Sequence, residues 1–417
     1  MQGSAPQFVV EAIDLFERDV VLRMPFRFGV VTLTAAPQAF VRARVRLADG
    51  RVGEGMAAEL LAPKWFDKNP ALSNDDNFDQ LRAALGIARE LYLDGASDTA
   101  FGHFARHYRV QLARGAERGL IPLVANYGPA LIDRALLDAL CRALGQPFHA
   151  VIRANAAGIA PGELCPDLVG FDWPAFLGAL QPAASIEARH TVGLVDPITH
   201  ADQTERVGDG LPETLEEVVS TYGHRWFKLK VAGDVDADLQ RLTRVASVLD
   251  GIAGGYRASL DGNEQYDDID GIAELWRRMN AEPKLARLAA SVVFIEQPIK
   301  RQAALARDVR TLSSLRPVII DESDDSLDAF VRARELGYQG VSSKTCKGLY
   351  KSLINRARCA QWNAAAGGTR WFMSAEDLTI QPGLALQQDL ALVSLMGIEH
   401  VERNGHHYVN GMAALSA

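Results

Sequence analysis

The 417-residue sequence predicts an α/β fold, a modified (β/α)7–8 TIM-type barrel preceded by an α+β unit. Three observations carry this. From about residue 188, β-branched or aromatic runs alternate with stretches whose apolar residues recur at helical spacing. Five of the runs (HRWFK, YRASL, SVVFI, RPVII and QGVSS) lead into Lys228-Leu229-Lys230, Asp261-Gly262-Asn263, Glu296-Gln297-Pro298, Asp321-Glu322-Ser323 and Lys344. The intervals between successive segments are 31, 35, 25 and 23 residues. A strand, a helix and two loops need roughly 25–35. Polar residues at strand ends, one repeat apart, mark the face on which β/α barrels keep their chemistry.

The N-terminal third reads differently. Residues 7–60 form an antiparallel meander, with FVVEAIDLF, AFVRARVRLADG and RVGEGMAAEL as strands and Asp49-Gly50 as a hairpin turn. LRMPFRFGVVTLTAAPQ reads as a long loop between the first two strands, and residues 61–77 as a second irregular stretch. Helical patterns follow near 78–94, 98–114 and 128–144. The Ala-, Pro- and Gly-rich segment 150–187 is the expected join between domains. HTVGLVDP begins the barrel, WFMSAEDL is a seventh strand, and the eighth unit reads as degenerate. The last stretch, from QQDLALVSL onward, is expected to leave the barrel.

Composition narrows the classes. A hydrophobic fraction of 48% belongs to a globular chain with a real core. The net charge of −8 argues against a nucleic-acid partner. No apolar run approaches a membrane span, and the start has no basic segment followed by an apolar stretch. The four cysteines show no CxxC pair and no disulfide framework, which fits a cytoplasmic setting.

Alternation along a strand puts Lys228 and Lys230 on one side and Phe227, Leu229 and Val231 on the other. The apolar set can pack under the helices, which turns two ammonium groups toward the barrel interior. Read alone, the triplet also suits an exposed edge strand. Asp261, Glu296 and Asp321 supply hard oxygen donors of the kind Mg²⁺ prefers, with positions left over for substrate and water. Asp321, in DESDD, also suits a helix N-terminus. His406 and His407 read as surface residues. Lys344 lies across the barrel from Lys230. A lysine base working near neutral pH needs its pKa lowered by on the order of 3 units, roughly 4 kcal/mol. A divalent cation, a second ammonium at Lys228 and burial all act that way, and Lys347 stands in the same relation to Lys344. Such a site can remove a proton beside a carboxylate and stabilise the enediolate that forms.

These segments resemble the enolase superfamily, and within it the muconate lactonizing enzyme (muconate cycloisomerase) subgroup. The subgroup's KxK matches Lys228 and Lys230. Its metal ligands match Asp261, Glu296 and Asp321, and its second catalytic lysine matches Lys344. The Pro25-Phe26 loop and the run from Asp49-Gly50 to Gly53 and Gly55 resemble the family's capping domain. The resemblance implies a cap formed by residues 1–155 and the C-terminal tail 381–417, over a barrel of 186–380. It implies Mg²⁺, or Mn²⁺ in its place, a small carboxylate substrate and a homo-oligomer. Phe26, Arg27, Phe28, Lys64 and Trp65 fall on the family's substrate-sensing loops, and Glu376 in SAEDL matches its late acid. Asn263 and Glu322 become supporting residues.

The chain departs from the subgroup in three places. KTCKGLYKS lacks the usual Gly-Gly after the lysine, residues 60–130 are longer, and SAEDL has no DxD of the dipeptide epimerase kind. A lysine at the sixth strand disfavours the His-Asp chemistry of mandelate racemase. The expected reaction is a racemisation, epimerisation or cycloisomerisation. The alternative is syn-dehydration of a hydroxy acid, such as an o-succinylbenzoate-synthase-like or acid-sugar reaction. Readings of other classes are a Schiff-base aldolase using Lys230 or Lys344, which leaves the three acids unexplained, and a non-catalytic binding relative.

Overall fold

The structure, a computed structural model, describes residues 5–29 and 31–413. Three antiparallel strands, β1 (Phe8–Phe28), β2 (Val31–Leu47) and β3 (Val52–Leu60), form one sheet in that order. Eight parallel strands close a barrel. They are β4 (Glu187–Val192), β5 (Trp226–Lys230), β6 (Arg257–Asp261), β7 (Val292–Glu296), β8 (Val318–Ile320), β9 (Gly340–Ser343), β10 (Phe372–Ala375) and β11 (His400–Arg403).

Two expectations are corrected here. The stretch read as a long loop after the first strand is instead a continuous hairpin. Phe26 pairs with Leu33, and Phe28 with Val31. Aromatic and β-branched residues on both arms favour the extended state. Pro25 falls within the register shift between Val21 and Phe26, where its missing N–H breaks no ladder bond. The segment after residue 381 does not leave the barrel. Helix Leu384–Leu395 leads into β11, which pairs with both β10 and β4 and closes the ring. The eighth unit is complete. The segment still touches the antiparallel sheet at two points: Gln388 donates to Met56 O of β3 at 2.6 Å, and in the final turn, Gly405–Tyr408, Tyr408 stacks on Phe26 with ring centroids 4.3 Å apart.

The cap is held by close backbone approach. Helix Tyr127–Leu144 lies directly on β3. A Cβ on Gly55 would stand 2.1 Å from Ala139 N, and one on Gly53 would stand 2.1 Å from Ala139 O. Only glycine permits that distance, which accounts for the glycines that follow Asp49-Gly50. Helices Asn74–Tyr92 and Ala100–Glu117 complete this layer. Ser73 and Asp76 close a capping box at the first of them. The loop before it is pinned to the barrel by Arg301. That side chain donates to Phe66 O at 2.6 Å and Trp65 O at 2.8 Å, and pairs with Glu264 at 2.8 Å.

Candidate active site

The strand ends converge as alternation requires. Lys228, Lys230, Asp261, Glu296, Asp321 and Lys344 are all buried inside the barrel, while Phe227, Leu229 and Val231 face the helices. Three further charged groups join them: Arg189 from β4, Glu376 after β10 and Glu402 from β11. Lys347, from the turn after Lys344, completes a ring of five carboxylates and five cations. An unpaired charge in such a place costs several kcal/mol, so the ring must be internally matched.

Lys228 is its centre. Its Nζ lies 2.9 Å from Asp261, 2.9 Å from Glu296, 2.7 Å from Glu376 and 2.9 Å from Glu402. Burial alone would drive its proton off, but these four carboxylates hold the group protonated, well above the ordinary lysine range. Lys230 donates to Asp261 at 2.6 Å and Lys344 to Asp321 at 2.6 Å. Burial pulls Lys344 down; the Asp321 carboxylate outweighs it and leaves the ammonium above its ordinary value. Lys228 opposes Asp321 there, in the direction expected of an electrostatic tuner. The net shift is upward because the Asp321 carboxylate pairs directly with the ammonium.

Local backbone bonds set the acids. Gly262 N donates to Glu296 O at 3.0 Å, and a Cβ on Gly262 would stand 2.6 Å from Pro298 Cα. DGN and EQP are therefore stacked strand ends. Gln297 links the next pair. It adopts φ +34° and its Oε1 accepts from Asp321 N and Ser323 N. Lys347 Nζ donates to Asp321 Oδ1 at 3.1 Å and Ser342 O at 2.7 Å, so it anchors Asp321.

Asp261, Glu296 and Asp321 present hard carboxylate oxygens from three successive strand ends. Glu296 Oε2 is buried and accepts no hydrogen bond, although Lys228 Nζ is close to it. Burial first, then the Glu376, Asp261 and Asp321 charges, push Glu296 well above the usual carboxylate range. A crowded set of hard donors with one unused buried oxygen fits an oxygen-preferring divalent cation.

A small cavity of about 20 Å³ lies above the ring, room for about one water. Lys230, Lys344 and Asn263 line it from below, and Phe26, Phe28 and Trp65 from the cap. The Lys344 ammonium stands 4.6 Å over the Trp65 ring. Other expected residues lie elsewhere. Arg27 is exposed and outside the cavity, because alternation along the hairpin turns it away from Phe26 and Phe28. Lys64 bonds Asn69 O and Leu72 O within its own loop. Glu376 lies in the floor between Lys228 and Arg189, and its neighbour Asp377 reaches the cavity. Glu322 is buried behind Asn263, which donates to it at 3.2 Å. The sequence reading missed Arg189 and Glu402. Arg189 stands one residue before the run HTVGLVDP, and Glu402 lies in HVER, a stretch that by sequence reads as outside the barrel.

The closed barrel, the sheet at its mouth and the buried acid–lysine ring define a capped β/α-barrel enzyme. Residues 210–393 match the enolase C-terminal domain-like family. Over 347 residues the chain is 26% identical to muconate cycloisomerase 1 of Rhodococcus opacus, covering 80% of this chain and 72% of that protein. A mandelate racemase/muconate lactonizing protein from Herpetosiphon aurantiacus superposes with a TM-score of 0.61 at 21% identity, over 94% of this chain and 88% of that one. A dipeptide epimerase from Enterococcus faecalis, solved with Mg and L-Leu-L-Tyr, gives 0.60 at 14%, over 94% and 90%. The barrel residues 210–393 thus carry an enolase C-terminal-like domain, and the chain as a whole is similar to muconate-lactonizing-enzyme-like members of the enolase superfamily. No helix among the described residues is long and apolar enough to cross a membrane.

Proposed function

We propose that this enzyme removes the proton α to a substrate carboxylate and returns one to the opposite face, a racemisation or epimerisation. One observation carries the reading. Lys230 ends β5 and Lys344 follows β9, four positions apart in a closed ring of eight, and both line the same cavity. A substrate between them meets one amine on each face. Asp261, Glu296 and Asp321 would hold Mg²⁺, which when bound stabilises negative charge on the substrate carboxylate.

The deprotonated lysine takes the α-proton with its lone pair, and the C–H electrons pass into the carboxylate. The ammonium on the other face then delivers a proton to the carbon. The ring's formal balance suits this. A divalent cation and a singly charged acid add one positive charge, which loss of a single lysine proton cancels. Lys228 keeps its proton throughout, held by four carboxylates. Phe26, Phe28 and Trp65 exclude water from the reacting carbon.

Cycloisomerisation is the second reading, favoured by the similarity to muconate cycloisomerase 1. It needs only one of the two lysines.

Exchange of α-protons in deuterated water, across a panel of carboxylic acids with Mg²⁺, separates the two. Lys230→Ala should abolish exchange from one enantiomer and spare the other, with Lys344→Ala the mirror case. Turnover in each should fall by at least about 10²–10⁴-fold. Loss in one variant only establishes a one-base reaction. Full exchange after exhaustive chelation, or in both variants, would sink the reading.

A further inference from the structure

Outside the acid–lysine ring the barrel wall carries a second cluster of ligating groups. His190, on β4, faces outward; its neighbours Arg189 and Thr191 point in to Glu376 and Glu402. His224 stands just before β5, and His406 lies in the final turn Gly405–Tyr408. Closure of the barrel by β11 beside β4 brings the three together. Each offers a ring nitrogen within 4.8 Å of the other two. His190 and His407 are buried and His406 half-buried, so the sequence expectation of surface histidines at 406 and 407 is corrected.

We propose that His190, His224 and His406 form a binding site for Zn²⁺ or a similar late first-row divalent ion, separate from the barrel interior. The tautomers are suited to it. His224 Nδ1 donates to Ala188 O at 3.2 Å, which leaves its Nε2 with a free lone pair. That Nε2 is buried and has no hydrogen-bond partner. His190 Nδ1 and His406 Nε2 face each other at 3.0 Å. With metal–nitrogen bonds of about 2.0–2.1 Å, tetrahedral ligands stand roughly 3.4 Å apart, so that pair needs little movement. His224 is half-exposed and can close the remaining gap. Burial, reinforced by mutual repulsion, keeps His190 and His406 uncharged, the form that ligates.

The donor set is all imidazole, so it selects against Mg²⁺ and for Zn²⁺, Ni²⁺ or Cu²⁺. A cavity of about 400 Å³, lined by Tyr222, Arg403 and Asp377, opens beside His406 and gives an entry path and room for a fourth ligand. With Arg403 near, that ligand would be water, hydroxide or a small anion. Occupation would tie the last turn to β4 and β5. The same turn carries Tyr408, which stacks on Phe26 of the cap and bonds Asp196.

The test uses the full chain, stripped with chelator and returned to excess Mg²⁺ so that oxygen sites are filled. Zn²⁺ is titrated against a chromophoric chelator, and Co²⁺ is followed by its visible absorption. We expect one equivalent of Zn²⁺ per chain and a tetrahedral Co²⁺ spectrum. His224→Ala and His406→Ala should each weaken binding by at least about 10-fold, since loss of the residue behind a ligand already costs that much. Glu296→Gln should leave it unchanged. If His406→Ala fails to fold, the half-exposed His224→Gln carries the test. No uptake above Mg²⁺, equal uptake in wild type and His224→Gln, or loss in Glu296→Gln alone would overturn the proposal.

Discussion

The side-chain oxygen of Gln297 accepts the backbone N–H of Asp321 at 2.9 Å. One residue past Glu296, it fixes the strand end that presents Asp321, so two of the three proposed metal ligands share one support. Gln297→Ala should lower Mg²⁺ affinity about 10–100-fold while leaving the fold intact. Glu296→Gln removes a charge without changing volume and should do the same or worse. Calorimetric titration of Mg²⁺ into the stripped protein reads both. Unchanged affinity in Gln297→Ala would show that Asp321 needs no such support.

The hairpin tip separates two neighbours. Phe26 is buried on the cavity and Arg27 is exposed outside it. Phe26→Ala should raise KM or change substrate preference far more than it changes α-exchange on a small generic acid. Arg27→Ala should stay within about twofold of wild type, as surface changes do. Steady-state kinetics of the pair on one substrate decides this, and a larger effect at Arg27 would reverse the assignment.

Gly55 lets helix Tyr127–Leu144 touch β3. A methyl there would fall 2.1 Å from Ala139 N, and backbone cannot yield as a side chain can. Gly55→Ala should destabilise the protein by about 1–3 kcal/mol. Gly50, whose added Cβ would meet nothing, sits at φ +88°, so substitution there strains only a turn. Urea midpoints of the two variants compare helix docking with turn strain.

Acid should weaken the fold through its histidines. Burial, aided by Arg189, holds His400 down to about 3, against 6.5 when unperturbed. Burial and its charged neighbours do the same to His407. The unfolded chain binds these protons first. Their contribution to stability is therefore present above pH 6.5 and lost as pH falls toward 3. At pH 5 each neutral histidine costs on the order of 2 kcal/mol. The fall in thermal midpoint between pH 7 and pH 5 should be smaller in His400→Gln. An equal fall would place the acid sensitivity elsewhere.

The barrel's acids and lysines were legible in the sequence because barrel chemistry follows the ends of strands. Short apolar runs such as SVVFI announce those ends locally. The glycines after Asp49-Gly50 are legible only as part of the resemblance to the capping domain; their close approach to Ala139 is a property of the fold. β11 was not legible. HVER has four residues and no apolar run, and it becomes a strand only because β10 and β4 flank it. With it went Glu402, one of the four carboxylates around Lys228. Nor could sequence reveal that Lys344 is held protonated by Asp321, that Arg27 points away from the cavity, or that His190, His224 and His406 meet. Local propensity determines which segments can be strands and helices. Which charges face one another across the barrel is decided by pairing between distant segments, such as β11 with β4, where Arg403 pairs with His190, and that pairing exists only in the closed fold.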